Sequence, residues 1–150
     1  MGLKQEGIPT KIRHWCARAE RSPAQVSRKL NDWGAGPDAD GLLAALQEEG
    51  YVDAERFAGA FVHDHILLKN WGPAKVWSAL RQVHGIDSGL IREALDGLGS
   101  GEVDAAAVRA LGAWRKVRPE APDEKALGAL VRKGFPLECA RRALEAEDAD

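Results

Sequence analysis

Apolar residues recur at three- and four-residue intervals along nearly the whole chain, the spacing that turns one side of an α-helix toward a core. Ile12, Trp15, Cys16 and Ala19 form the first stripe. Ser22-Pro23-Ala24-Gln25 predicts a sharp helix start: a capping hydroxyl, proline in the first turn, and a glutamine that reaches back. Val26, Leu30 and Trp33 follow on one face, and Gly34 marks the stop. Asp38 or Asp40 is expected to open a third helix through Leu42, Leu43 and Leu46, closed by Gly50.

The pattern then repeats. Asp53 is expected to cap a helix carrying Phe57, Phe61 and Leu68, and Trp71-Gly72-Pro73 to open one with Val76, Leu80 and Val83 inside. Ile86 before Asp87 predicts a staple onto Ile91, followed by Leu95 and Leu98. Gly97–Gly101 is expected to be a linker. Beyond it run Val103, Ala107, Leu111 and Trp114, terminated by Pro119 and Pro122. Asp123 is expected to cap Leu127, Leu130 and Val131, and the last helix to hold Leu137, Ala140 and Leu144.

Pro23, Val26 and Leu30 sit 50 residues before Pro73, Val76 and Leu80. Gly85-Ile86 with Arg92, Ala94 and Leu95 matches Gly134-Phe135 with Arg141, Ala143 and Leu144, 49 residues on. The expected fold is therefore all-α: an elongated array of three tandem three-helix repeats, about 1–50, 51–100 and 101–150. Units this small bury too little surface alone, so neighbours must stack. Such an array offers a long face to a large partner rather than a pocket to a small one.

A length of 150 residues, 45% hydrophobic and 29% charged, fits an ordinary soluble chain, and a formal charge of −2 argues against a dedicated nucleic-acid coat. Met1–Gly7 is polar, without the apolar stretch of a secretion signal, and no run is long enough to span a bilayer. Cys16 and Cys139 have no paired spacing and read as small buried groups in a reducing compartment, so a cytoplasmic location is expected. Charge is unevenly spread. Lys11 to Lys29 carries six bases against one acid, Asp38 to Glu55 carries six acids and no base, and the end from Glu145 to Asp150 is acidic.

No catalytic arrangement assembles. His63 and His65 lie two apart, on different sides of a helix, so no metal site is expected. Gly97-x-Gly99-x-Gly101 follows no strand and lacks the completing glycine and lysine of a phosphate loop, and no serine has a nucleophile-elbow setting. Neither an enzyme nor a cofactor is expected. Trp15, Trp33 and Trp114 fall on apolar stripes and are expected in the core. Trp71 and Trp77 flank Lys69, Lys75 and Arg81, a mixture suited to stacking on bases or docking on a protein.

Gln47-Glu48-Glu49-Gly50-Tyr51-Val52-Asp53-Ala54-Glu55-Arg56-Phe57-Ala58, followed by Phe61-Val62, resembles the central signature of the RecX family. Trp71-Gly72-Pro73-Ala74-Lys75-Val76 with Leu80, then Gly85-Ile86-Asp87, is similar to the family's next segment. Arg132-Lys133-Gly134-Phe135 with Ala140–Leu144 resembles its third repeat. The resemblance covers roughly residues 10–146. Most of these residues have fold-making roles, with Arg56 one turn beyond Asp53 and suited to a local ion pair. His65 and His84 stand where the family often has a base, and the chain is less basic than is common there.

The resemblance implies three tandem three-helix repeats that lie in the groove of the RecA filament on single-stranded DNA. It implies a regulator that mainly inhibits RecA ATPase and strand exchange in recombination and the SOS response. A monomer is expected, with weak direct DNA contact at most and no membrane association. Bases on or entering the middle helix of each repeat are the candidate partner-binding residues: Arg28, Lys29, Lys69, Lys75, Arg81 and Arg132. The alternative is a helical nucleic-acid-binding module acting without RecA, resting on the 11–29 base cluster and the Trp71–Arg81 mixture.

Overall fold

The computed structural model describes residues 2–149, with side chains from residue 7 onward. Met1, first residue of the polar Met1–Gly7 stretch, and Asp150, last of the acidic tail, lie outside the described residues. Within them are nine α-helices and no strand: α1 Gly2–Arg18, α2 Pro23–Asp32, α3 Ala39–Glu48, α4 Ala54–Val62, α5 Pro73–Gln82, α6 Ser88–Asp96, α7 Glu102–Val117, α8 Asp123–Arg132 and α9 Leu137–Ala149. They follow one another as three triplets. The chain exposes 8988 Å², whereas a compact globule of this mass exposes about 7,500 Å². The array is elongated.

Local chemistry fixes the helix starts. Ser22 accepts from the Gln25 N–H while the Gln25 side chain accepts from Ser22 N, a complete capping box. Asp53 accepts from the Arg56 N–H. Two expected caps differ. Asp38 makes no side-chain cap and instead ends a short 3-10 turn, Gly36–Asp38. Asp123 is the first residue of α8, where its carboxylate meets Arg115 at 2.6 Å. The expected glycine linker is a tied turn, with the Gly99 N–H held by the Glu102 carboxylate at 2.8 Å.

After Val62 the helix widens. His63–Leu68 is π-helical, with Lys69 N–H bonded to the Asp64 carbonyl five residues back. Wider turns rotate the face, so Ile66 is buried while Leu68, expected inside, is 70% exposed. Asn70 reverses the chain in a left-handed conformation (φ 59°), and its Oδ1 accepts from Arg109 of α7 at 2.8 Å. Val83, at the C-cap of α5, is also exposed, and Val131 faces outward from α8.

The apolar interior divides unevenly. Ile12, Cys16, Val26, Leu30, Leu46 and Val52 close a core in the first triplet. A second, continuous core runs through both remaining triplets, from Phe57 and Ile66 through Leu80 and Ile91 to Leu111, Leu130 and Phe135. At the second junction backbone meets backbone. The Gly72 N–H donates to the Lys133 carbonyl at 2.8 Å and the Ala74 N–H to the Gly134 carbonyl at 3.0 Å. A Cβ on Gly72 would lie 2.1 Å from the Gly134 carbonyl carbon, so no side chain fits there.

The first junction is polar. The Ser22 hydroxyl lies 2.8 Å from Nδ1 of His84, and Glu20 pairs with Arg56 at 2.6 Å. Arg56 thus bridges two triplets instead of pairing with Asp53. Burial holds the His84 imidazole below its ordinary pKa, reinforced by the charge of Arg28 and the neighbouring His65. A ring that resists protonation when folded but accepts it when unfolded makes stability fall as pH drops through the unfolded value near ~6.5. The loss is complete once pH is below the depressed folded value.

Two predictions follow from these junctions. Gly72→Ala should destabilise by about 2–3 kcal/mol through forced overpacking, whereas Gly112→Ala, on an open face of α7 with no atom near the added methyl, should stabilise by about 0.5–1 kcal/mol; urea titration compares them. Unfolding midpoints should be lower at about pH 5.5 than at about pH 7.5, and His84→Gln should flatten that difference. An unchanged slope in the variant would show that His84 does not carry it.

Candidate functional site

Each triplet places tryptophan beneath a base. In the first, Arg21 lies 4.0 Å from the ring centre of Trp15, Lys11 lies 4.4 Å from Trp33, and Lys29 sits between the two at 5.2 and 5.6 Å. In the second, Lys75 covers Trp71 at 4.1 Å and Arg92 approaches Trp77 at 5.7 Å. In the third, Arg115 and Arg118 flank Trp114 at 5.6 and 5.2 Å. The expectation that Trp15, Trp33 and Trp114 belong to the core is half met. Each packs one side on apolar neighbours and remains half-buried under its cation.

The placement recurs in the first and third triplets. Trp15 and Trp114 lie shortly before the middle helix of their triplets, and His65 holds that place in the second. There the widened helix stacks His65 on Phe61 at 3.7 Å between ring centres and sets it edge-on to Trp71 at 4.5 Å. His84 joins from the other side, 4.7 Å from Phe57 and 5.4 Å from Phe61. Burial lowers the His65 pKa, against the pull of its hydrogen bond to the Phe61 carbonyl; Lys69 and Lys75 lower it further and Asp64 opposes them.

Arg28, Lys69 and Lys75 therefore converge electrostatically on this histidine–aromatic cluster, from both sides of the first junction. Lys29 belongs to the tryptophan pair of the first triplet. Arg132 lies in the third, lining a groove of about 650 Å³ with Trp114, Arg118, Lys125 and a single acid, Glu124. Arg81 stands apart: its guanidinium donates to the Ile86 carbonyl at 3.1 Å and braces the turn after α5. Lys11 and Arg21 belong to the 11–29 base cluster of the nucleic-acid alternative but not to the six candidate contacts, and Arg92, Arg115 and Arg118 belong to neither. Arg118 was legible as a base four residues after a tryptophan; Lys11 reaches Trp33 through tertiary packing, which no spacing reveals.

A cation fixed over an aromatic face keeps its charge outward at a gain of about 0.5–1 kcal/mol per exposed pair. Such contacts in every triplet suit an anionic partner, whether phosphodiester or carboxylate-rich. Other titratable groups serve the fold. The Cys139 thiol is pushed up to about 12 by burial and then by Asp104, which holds Arg142 at 3.0 Å. Among the described residues no group of His, Cys, Asp and Glu could hold a metal ion, and no helix is long and apolar enough to cross a membrane.

Residues 53–95 match the family model described as "RecX, second three-helix domain". The regulatory protein RecX of Halorhodospira halophila is 30% identical over 99% of this chain and 93% of its own length. That of Bacillus licheniformis is 32% identical over 85% of the chain, which spans half of that longer protein. Among solved structures, RecX from Lactobacillus salivarius superposes with a TM-score of 0.81 at 15% identity, each chain fully covered. Near-complete alignment to a 30%-identical relative, with the shared all-helical fold, establishes that this chain belongs to the RecX family.

Proposed function

We propose that this protein binds the RecA filament on single-stranded DNA and inhibits its ATPase and strand exchange, with no chemistry of its own. In this reading residues 1–50, 51–100 and 101–150 are three stacked units of a cytoplasmic monomer. The observation that carries it is that every triplet of this RecX-family chain holds bases over tryptophan. Stations in series engage successive elements of a polymer, and modest contacts multiply because each raises the effective concentration of the next. A ligand with unequal affinity for two filament states shifts their balance by that difference.

Lys29, Lys75 and Arg132 represent the contact residues, one per triplet, with Arg28 and Lys69 supporting the central station and Arg81 contributing through the turn it braces. Direct binding to single-stranded DNA is the second reading, favoured by the groove of Trp114, Arg118, Lys125 and Arg132. It requires affinity without RecA and a steep loss of that affinity with salt.

The expected outcome is a fall in RecA ATPase on single-stranded DNA as protein is added; an unchanged rate at several-fold molar excess would reject inhibition. Lys29→Glu, Lys75→Glu and Arg132→Glu should each raise the half-inhibitory concentration about three- to tenfold. Circular dichroism should show the helices unchanged.

A further inference from the structure

The middle helices of the three triplets align at intervals of 50 residues, and the third departs from the other two in a way that opens a surface. Ala121 stands where Arg21 and Trp71 stand, and Gly128 where Arg28 and Ser78 stand. In the first triplet Arg21 lies 4.0 Å from the ring centre of Trp15 and covers its face. In the second, Trp71 fills the corresponding place with its own ring, set edge-on to His65 at 4.5 Å. In the third that place holds a single methyl group, and the space is the groove of about 650 Å³ between α7 and α8.

Trp114 forms one wall of the groove. Its cations, Arg118 and Arg115, stand 5.2 and 5.6 Å from the ring centre, farther than the 4.0–4.4 Å of the close pairs on Trp15, Trp33 and Trp71. The other wall is one stripe of α8. A Cβ on Gly128 would lie 3.4 Å from Nη1 of Arg132, so the Arg132 guanidinium lies over the gap that the glycine leaves. Arg118, Lys125 and Arg132 give the groove three bases to one acid, Glu124. Among the described residues no carboxylate forms an ion pair with any of the three, whereas Arg115 is spent on Asp123 and Glu147.

We infer that this groove seats one nucleotide of a single strand, with its base on Trp114 and its phosphates on Arg118, Lys125 and Arg132, and that Glu124 selects bases bearing an amino group. This rests on the second reading above, direct binding to single-stranded DNA, and gives that reading a place and a base preference. An aromatic face takes any base, and the cations around it hold the backbone. Glu124 is the discriminating group. Beside a stacked base its carboxylate accepts from an exocyclic amine such as N4 of cytosine, but meets only another acceptor in O4 of thymine. A carboxylate-rich peptide fits the groove less well, since it would leave the tryptophan face unused and be repelled by Glu124.

The test uses the full-length protein without RecA, at low salt, with labelled oligo-dC and oligo-dT of equal length read by fluorescence anisotropy. Both should bind, oligo-dC about three- to tenfold tighter. Glu124→Gln should bring the two affinities within about twofold of each other, because an amide both donates and accepts. Gly128→Leu should weaken both by about tenfold or more. Leucine favours the helix over glycine, and the atom nearest its Cβ is the end of a flexible arginine, so this variant keeps the fold. Equal affinity of the parent protein for the two strands, a preference unchanged in Glu124→Gln, or binding unchanged in a folded Gly128→Leu would overturn the inference and leave direct DNA binding standing. Absence of binding to either strand would remove both. Labelled oligoglutamate that binds more tightly than either strand, and is lost in Gly128→Leu, would overturn it in favour of an acidic peptide.

Discussion

The structure depends on the closeness with which one helix start can approach the next triplet's turn. At Gly72 and Gly134 the approach is complete: neither residue has a side chain, so two backbone hydrogen bonds form across the junction and the apolar cores on either side merge. Those bonds also satisfy amides at the start of α5, which would otherwise go unpaired, so one contact both caps a helix and sets the stacking angle. Everything downstream, including the gap between one tryptophan station and the next, inherits that angle.

A chain with a formal charge of −2 can still present positive charge wherever its fold concentrates it. Several acids are spent on neighbours: Glu49 on Arg13, Glu20 on Arg56, Asp123 and Glu147 on Arg115, Asp104 on Arg142. Lys11, Arg21, Lys29, Lys75, Arg92 and Arg118 rest instead on tryptophan. An aromatic face, unlike a carboxylate, holds a cation without cancelling it. Net charge is therefore a poor guide to what this surface can attract.

Helix existence and order were legible because the apolar stripes, Ser22 and Asp53 caps and closing glycines all agree locally. The triplet repeat was legible because Pro23, Val26 and Leu30 recur at fixed distance. Three kinds of feature were not. The π-helical segment after Val62 leaves no mark in the pattern, so the outward turn of Leu68 could not be seen. Pairings between triplets, such as Glu20 with Arg56, cannot be told from local ones by spacing. Trp15, Trp33 and Trp114 read as core because a stripe records that a side chain is apolar, not that a base lies across its outer face. Of the site bases, those four residues from a tryptophan were visible and those brought in by tertiary packing were not.

The two joints of the array are made of different materials. One is cemented by buried hydrocarbon and backbone bonds, the other pinned by a hydroxyl on an imidazole and an ion pair at the surface. Water competes for the exposed Glu20–Arg56 ion pair of the latter joint, but not for the buried Ser22 hydroxyl or for the fastenings of the former. Bending strain applied along the molecule is therefore absorbed between the first and second triplets, while the remaining two travel as one stiff piece. A ruler with a single soft joint near one end can keep its long arm seated on a partner whose pitch changes and let the short arm yield.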